Sequence, residues 1–514
     1  MNAPGRISAG WLVVLTFVLA GCVRFFALGN QSLWLDEVLT VLETRQLDEE
    51  GWKSGLLGRR GPLYSYVMTL IPDGKRTEWW VRFPSALWGL ALIPVSYALG
   101  RGLVNGRAGL FAAVSAAFSP FAVWYSQEAR YVCLFMLLSA ISNLYAHRFA
   151  LSTDVRSGTA YVLSTLLMLF SFVGGIFLLA GQAVGFLAFR QAKRSLLRWL
   201  LVLGVVIIIF APWLCAAYGI LGFDGQEAEG SGFSIQKLET GYWRAPDLRH
   251  VGYALYAFGV GYSWGPSVRE LHEDLSSKTV LLELPAVAVA FALMGAIVLA
   301  GVSSLWSRSR STLVWMLACG AAPLLGPLVL ALQSGVSYNV RYTAGAFPLF
   351  IVILGAGMAW WWERRWVGKV MVAAVLALWF ASLANLYWNP RYAKDDNRAA
   401  AQLVESVRGT DETVVVGEET RAYGFYARQP FVSWRRIRVS RDEQPLGNGE
   451  RLPGNRFWVV SNRPWQDVRF IQLVEELREC LPLEPSYRVP GYEIFALRTS
   501  PLAGDKACQV LATR

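Results

Sequence analysis

Along the chain, apolar residues gather into eleven blocks, near 9–28, 82–101, 106–125, 129–149, 158–172, 174–190, 196–218, 279–303, 311–332, 343–362 and 367–387. Most approach the roughly 20 residues that carry an α-helix across a bilayer. The pattern predicts an α-helical polytopic membrane protein with about 11 transmembrane helices. The stretch 158–190 is divided at Gly174-Gly175, because its 33 residues are too many for one span and tight for two. Pro62–Ile71 is apolar but too short to cross, so it is expected to lie along the interface.

Other regions depart from this pattern. Residues 219–278, rich in Gly, Tyr and Trp, read as a partly ordered loop. Beyond 388 the periodicity changes. Ala401, Leu403, Val404 and Val407 recur at helical spacing within Arg398–Arg408, and Thr413–Val416, Phe457–Val460 and Glu493–Leu497 read as strands. Val468–Leu477 reads as a helix between the last two strands. A small α/β domain over 389–514 is predicted to follow a membrane domain over 1–388.

Charge orients the bundle. Basic residues fall in five short loops: Arg101 and Arg107; His147, Arg148 and Arg156; Arg190, Lys193, Arg194 and Arg198; Arg308 and Arg310; Arg364, Arg365 and Lys369. With eleven spans and a cytoplasmic N-terminus, all five lie inside, as positively charged loops do. Segments 29–81, 119–130, 219–278 and the C-terminal domain then face outside. Arg6 before Trp11–Gly21 resembles a signal peptide, and Leu19-Ala20-Gly21-Cys22 resembles a lipoprotein cleavage site. The apolar run continues through Phe25, Phe26 and Leu28, so an uncleaved first helix is the reading adopted.

Composition agrees. Hydrophobic residues make up 54% and charged residues 17%, against about a quarter charged in soluble chains. The net charge of +11 does not indicate nucleic acid, because the basic residues sit in the loops that orient helices. Cys22, Cys133, Cys215 and Cys319 fall in apolar blocks as small packing residues. Cys480 and Cys508 lie in the C-terminal region and would form a disulfide there if it faces an oxidising compartment.

Three loop sites offer chemistry, each with a bland alternative. In Ser32-Leu33-Trp34-Leu35-Asp36-Glu37, a carboxylate can act as general base; the alternative is a helix capped by Ser32 with acids at its positive end. Side chains of adjacent helical residues diverge by about 100°, so one acid would be catalytic and the other would orient a neighbour. In Ser126-Gln127-Glu128-Ala129-Arg130-Tyr131, Arg130 can hold a phosphate while Glu128 orients it or a substrate; the alternative is a helix end with Ser126 as cap. Arg341, in Tyr338-Asn339-Val340-Arg341-Tyr342, either snorkels to the interface or binds an anionic headgroup.

The order of these pieces resembles the GT-C membrane glycosyltransferases, in the bacterial branch related to protein O-mannosyltransferases and the lipid A aminoarabinose transferase. The resemblance runs over about 9–390. It rests on Asp36-Glu37, Pro62-Leu63-Tyr64, Arg82-Phe83-Pro84-Ser85, Tyr125–Tyr131 and Arg341-Tyr342, with Gly265–Leu271 similar to the long loop of such members. Two positions depart from it: Arg60-Gly61 stands where relatives often have His-Pro, and no histidine lies around Phe170–Gly175. Acceptor identity and any metal role therefore stay open.

The resemblance implies transfer of a sugar from a polyprenyl-phosphate donor to a lipid, glycan or protein acceptor, with inversion, at the outer face of a bacterial inner membrane. Asp36 would be the base, and Arg82, Arg130 and Arg341 would stabilise the departing phosphate. Glu37 and Glu128 would orient groups, while Arg60, Tyr64, Tyr131 and Tyr342 are further candidates for binding substrate. Asp36 and the three arginines are expected to line one cavity. This reading fixes no cofactor and leaves a divalent metal open, since the class contains members with and without one. The rival readings are a non-enzymatic lipid or solute transporter, or flippase, and a membrane anchor for the C-terminal domain.

Overall fold

The computed structural model describes residues 9–51, 61–189, 196–217, 247–273, 278–334, 338–410, 412–417, 420–433, 456–462 and 483–498. Arg60, Cys480, Cys508 and the helix expected at Val468–Leu477 lie outside these residues.

Sixteen helices precede residue 389 among the described residues. They are α1 (Ala9–Phe25), α2 (Leu35–Glu50), α3 (Pro62–Thr69), α4 (Glu78–Leu103), α5 (Gly106–Phe118), α6 (Pro120–Ser126), α7 (Val132–Ser152), α8 (Val155–Ser171), α9 (Gly175–Phe186), α10 (Leu196–Ala217), α11 (Leu248–Val260), α12 (Val268–Glu273), α13 (Lys278–Arg308), α14 (Arg310–Ser334), α15 (Phe347–Trp362) and α16 (Arg365–Trp388). A 3₁₀ segment, Val340–Ala346, leads into α15.

Each of the eleven apolar blocks coincides with a helix, but not each helix has bilayer length. Among the described residues, seven helices are long and apolar enough to cross a membrane, or up to eight if α5 and α6, bent by 52°, count as one span. The stretch 158–190 resolves into α8 and the shorter α9, separated by Phe172–Gly174. Exposure varies with position in the bundle. The span through α15 is 89% buried, whereas α10 leaves Leu197 and Ile208 more than two-thirds exposed, as expected of a lipid-facing helix.

The reading of 219–278 as loop is corrected where it is described. Leu248–Val260 form α11, opened by the cap residue Asp247, whose carboxylate accepts from the Arg249 N–H while the His250 ring accepts from the Asp247 N–H. This reciprocal cap starts the helix, and Ala254, Ala257 and Phe258 bury its inner face.

The chain divides into two compact units. One comprises the described residues up to Leu28 and those from Glu43 to Trp388; the other joins Gly29–Leu42 to the described residues from Asn389 onward. The acidic Asp36-Glu37 segment thus groups with the C-terminal domain rather than with the helices that flank it in sequence.

That second unit contains α17 (Asn397–Val407), α18 (Thr420–Tyr426) and a five-stranded sheet of β1 (Thr413–Val416), β2 (Val432–Ser433), β3 (Arg456–Asn462), β4 (Leu483–Val489) and β5 (Tyr492–Arg498). Strand order is β2-β1-β3-β5-β4, with β2, β1 and β3 parallel and β3, β5 and β4 antiparallel. Ala400, Ala401 and Val404 of α17 pack on Val414, Trp458 and Ile494 of the sheet, which is why that helix carries a sharply one-sided apolar face.

Candidate functional site

Within the first unit the site is assembled at breaks in helices. Pro120 has no N–H, so the chain cannot continue the α5 hydrogen-bond ladder past Phe118, and carbonyls at the end of α5 lose their helical partners. Arg24 of α1 supplies them. Its guanidinium donates to the carbonyls of Ala116 at 2.6 Å and Ala117 at 2.7 Å, and to Ser126 Oγ at 3.1 Å. The side chain is fully buried, so its charge is spent inside the protein. Gln127 then donates to the carbonyls of Arg24 at 3.1 Å and Phe26 at 2.8 Å, fixing the start of the next turn.

The face of α4 carrying Arg82, Ser85 and Gly89 packs against this region. A Cβ at Gly89 would lie 2.1 Å from Ser126 Oγ and 2.9 Å from Arg24 Nε, so only glycine permits the approach. One turn away, Ser85 Oγ donates to the Arg130 carbonyl at 3.4 Å. Arg82, a further turn along, is buried and donates to the Leu28 carbonyl at 3.0 Å. Ser126 is therefore not the cap of a following helix: it ends α6, donates to the Ala122 carbonyl at 2.6 Å and accepts from Arg24.

Glu128, Arg130 and Tyr131 are buried in the turn before α7. A stack of rings links this turn to the segment that carries Arg341. Tyr131 stacks on Phe172 at 4.6 Å and 16°, and Phe172 stacks on Tyr342 at 5.7 Å and 19°. The Arg130 guanidinium lies 5.6 Å from the Tyr131 ring centre, and that of Arg341 lies 5.5 Å from the Tyr342 ring centre. Two arginines 211 positions apart in sequence (341 less 130) are thus carried on a single aromatic stack. Tyr125 lies within electrostatic range of both Glu128 and Arg341, and its hydroxyl meets that of Tyr262 at 2.9 Å.

Phe172 was not singled out in the sequence. It occupies the break between α8 and α9, with its backbone extended at φ −161°. The break is pressed by the start of α3, because a Cβ at Gly61 would fall 2.6 Å from the Ser171 carbonyl oxygen. Tyr64 of α3 is buried and meets Trp88 edge-on at 5.5 Å, apart from the stack itself.

In the second unit, Asp36 and Glu37 open α2 with divergent environments. Glu37 is fully buried and its Oε2 accepts from the Trp34 N–H at 3.3 Å, closing the first turn; Asp36 is half-buried. Ser32 is not the cap of α2. Its Oγ donates to the Asp395 carbonyl at 3.2 Å and accepts from the Asn397 N–H at 3.0 Å. Among the described residues, no group of three or more His, Cys, Asp or Glu side chains converges as around a metal ion.

The first unit is thus an apolar bundle whose helices break near the segments that carry Arg130 and Arg341. Comparison with known proteins supplies the class. Residues 59–215 match the family model described as dolichyl-phosphate-mannose-protein mannosyltransferase, a stretch that contains Tyr64, Arg82, Glu128, Arg130, Tyr131 and Phe172. The chain also matches the crystal structure of ArnT from Cupriavidus metallidurans in the apo state, at 14% identity and a TM-score of 0.59, over 95% of this chain and 98% of that one. The same protein bound to undecaprenyl phosphate matches over the same shares, also at 14% identity, with a TM-score of 0.56. No curated protein sequence matches the chain. The fold is that of the GT-C enzymes, and the matched segment is related to the protein mannosyltransferases.

Proposed function

We propose that the protein transfers a glycosyl group from a polyprenyl-phosphate carrier to an acceptor at the outer face of a bacterial inner membrane. The observation that carries this reading is the pairing of Arg130 and Arg341 on the Tyr131–Phe172–Tyr342 stack. Guanidiniums suit phosphate because they present planar forks of donors and keep their charge at any working pH. Binding of undecaprenyl phosphate by ArnT of the same fold supports a lipid phosphate as the ligand.

In this mechanism an acceptor hydroxyl or amine attacks the anomeric carbon while the bond from that carbon to the phosphate oxygen breaks. The lipid phosphate leaves with the electron pair, and Asp36 takes the acceptor proton. A single displacement inverts the anomeric centre. Arg130 and Arg341 meet the charge that develops on the leaving phosphate, with Arg82 supporting them from α4. Glu37 holds the helix start and Asp36 does the proton transfer, the division that their burial favours.

The test is transfer of a labelled sugar from polyprenyl phosphate by purified protein in lipid nanodiscs. Asp36→Asn should abolish transfer while the protein remains folded. Arg130→Ala and Arg341→Ala should raise the KM for donor by about tenfold or more each, the equivalent of about 1.4 kcal/mol of lost binding. Full activity in Asp36→Asn would remove the base assignment. Movement of the lipid across the bilayer with no transfer would favour the transporter instead.

A further inference from the structure

The segment that bears Asp36 is held by the C-terminal domain at close range. Leu33, three residues before Asp36, has both backbone polar groups taken by side chains of that domain. Its N–H donates to the Tyr426 hydroxyl of α18 at 2.8 Å, and its carbonyl accepts from Asn397 Nδ2 at 2.7 Å. Leu33 and Asn397 are both buried, at 1% and 2% exposure, so water cannot replace these partners freely.

Asn397 is also tied in the other direction. Its Oδ1 accepts from the Tyr492 hydroxyl of β5, and its own N–H donates to Ser32 Oγ. Around it, Arg398 donates to the Asn30 carbonyl at 2.7 Å, and the Lys394 ammonium lies 5.6 Å from the Trp34 ring centre. The sheet, the first turn of α17 and the chain entering α2 therefore form one hydrogen-bonded assembly, and Asn397 is its junction.

We propose that Asn397 and Tyr426 are positioning residues: the C-terminal domain clamps Leu33 and thereby sets the register and direction of the first turn of α2, which carries Asp36. On this view the domain is part of the catalytic apparatus without touching substrate. The proposal rests on the assignment of Asp36 as base, and it predicts more than that assignment does. Freeing Leu33 should cost turnover rather than donor binding, because the donor phosphate is met elsewhere.

The experiment uses the full chain in nanodiscs with two readouts, hydrogen exchange at the amides of Leu33–Asp36 and steady-state transfer from polyprenyl-phosphate sugar. Asn397→Asp keeps the size, the Tyr492 bond and the Ser32 bond, but it removes the donor to Leu33. Tyr426→Phe removes the other partner and leaves Asn397 intact. Each should speed exchange at these amides. Each should also lower kcat by about 10- to 100-fold, the penalty for a slightly misplaced catalytic group, with donor KM within about twofold.

Unchanged exchange in both variants would overturn the clamp. Faster exchange with unchanged kcat would overturn the positioning role and leave a purely structural contact. A larger change in donor KM than in kcat would do the same. Activity retained by Asp36→Asn would sink the base assignment alone, since the exchange readout does not depend on it.

Discussion

Replacing Phe172 tests whether the aromatic stack organises the arginines. Phe172 is 5% exposed and meets three rings: Tyr131 at 4.6 Å, Tyr342 at 5.7 Å and Phe135 edge-on at 5.2 Å. Such ring pairs contribute about 0.5–1.5 kcal/mol each beyond the area they bury. Phe172→Leu keeps most of the volume and should lose mainly this part, about 1.5–4.5 kcal/mol. Phe172→Ala opens a cavity as well, and buried Phe→Ala changes cost about 3–5 kcal/mol. Unfolding in a detergent titration would measure both. The kinetic consequence is more specific, because Tyr131 and Tyr342 carry the two guanidiniums on their faces. Phe172→Leu should raise donor KM by about tenfold with a smaller change in kcat, whereas Phe172→Tyr should stay near the parent. If Phe172→Leu left both unfolding free energy and donor KM unchanged, the stack would not organise the site.

Other predictions concern the frame around that site. Arg24→Ala should destabilise the bundle by about 2–4 kcal/mol, since two buried carbonyls lose charge-assisted partners. Arg24→Lys, with a point charge in place of a fork, should recover only part of this; equal stability of all three proteins in detergent titration would refute the role. Burial raises the pKa of Glu412, but bonds from the Gly409 N–H, the Trp458 indole and Arg456 outweigh it and hold the carboxyl below its ordinary value of 4.5. Its stabilising contribution is therefore present above pH 4.5 and is lost as pH falls through the lowered folded pKa. Hydrogen exchange in β1 and β3 should accelerate on acidification past that point, and Glu412→Gln should flatten the response. The orientation read from the basic loops requires the C-terminus outside, so a reporter active only in the cytoplasm and fused after Arg514 should stay silent.

What could be read in the sequence was what depends on neighbours. Apolar length revealed the helices, and one-sided spacing in Arg398–Arg408 revealed α17, because each signal is local. Strand β4 escaped notice because Leu483-Glu484-Pro485-Ser486 is neither apolar nor proline-free, and it is tolerated only because β4 is an edge strand. Helix α11 was hidden by Gly and Tyr, although Asp247 and His250 at capping spacing were a usable sign. Arg130 and Arg341 stood out as charges at helix ends, but Phe172 did not. An aromatic residue in an apolar block looks like packing, and its partners are 41 positions before and 170 after it (172 less 131, and 342 less 172). Arg24 was missed for the same reason, with Pro120 as the clue that carbonyls nearby would need a donor. The grouping of Gly29–Leu42 with the C-terminal domain had no sequence signal at all, since Asn397 and Tyr426 are ordinary polar residues whose bonds span the whole chain.

The buried guanidinium of Arg24 also says something about how the protein is made. Its two carbonyl partners lie 92 and 93 residues downstream. At about 5–20 residues per second of synthesis, the first helix waits some 5–20 s before those groups exist. During that interval it enters the membrane with a charge that has nothing of its own to bond beyond the Ala20 carbonyl, one turn back. Near a helix centre such a charge opposes insertion by about 2.5–3.5 kcal/mol, and less toward the end, where Arg24 sits. Pairing of Arg24 with these carbonyls is thus a late step of assembly, open to α1 only once the chain has been made as far as the bend at Pro120.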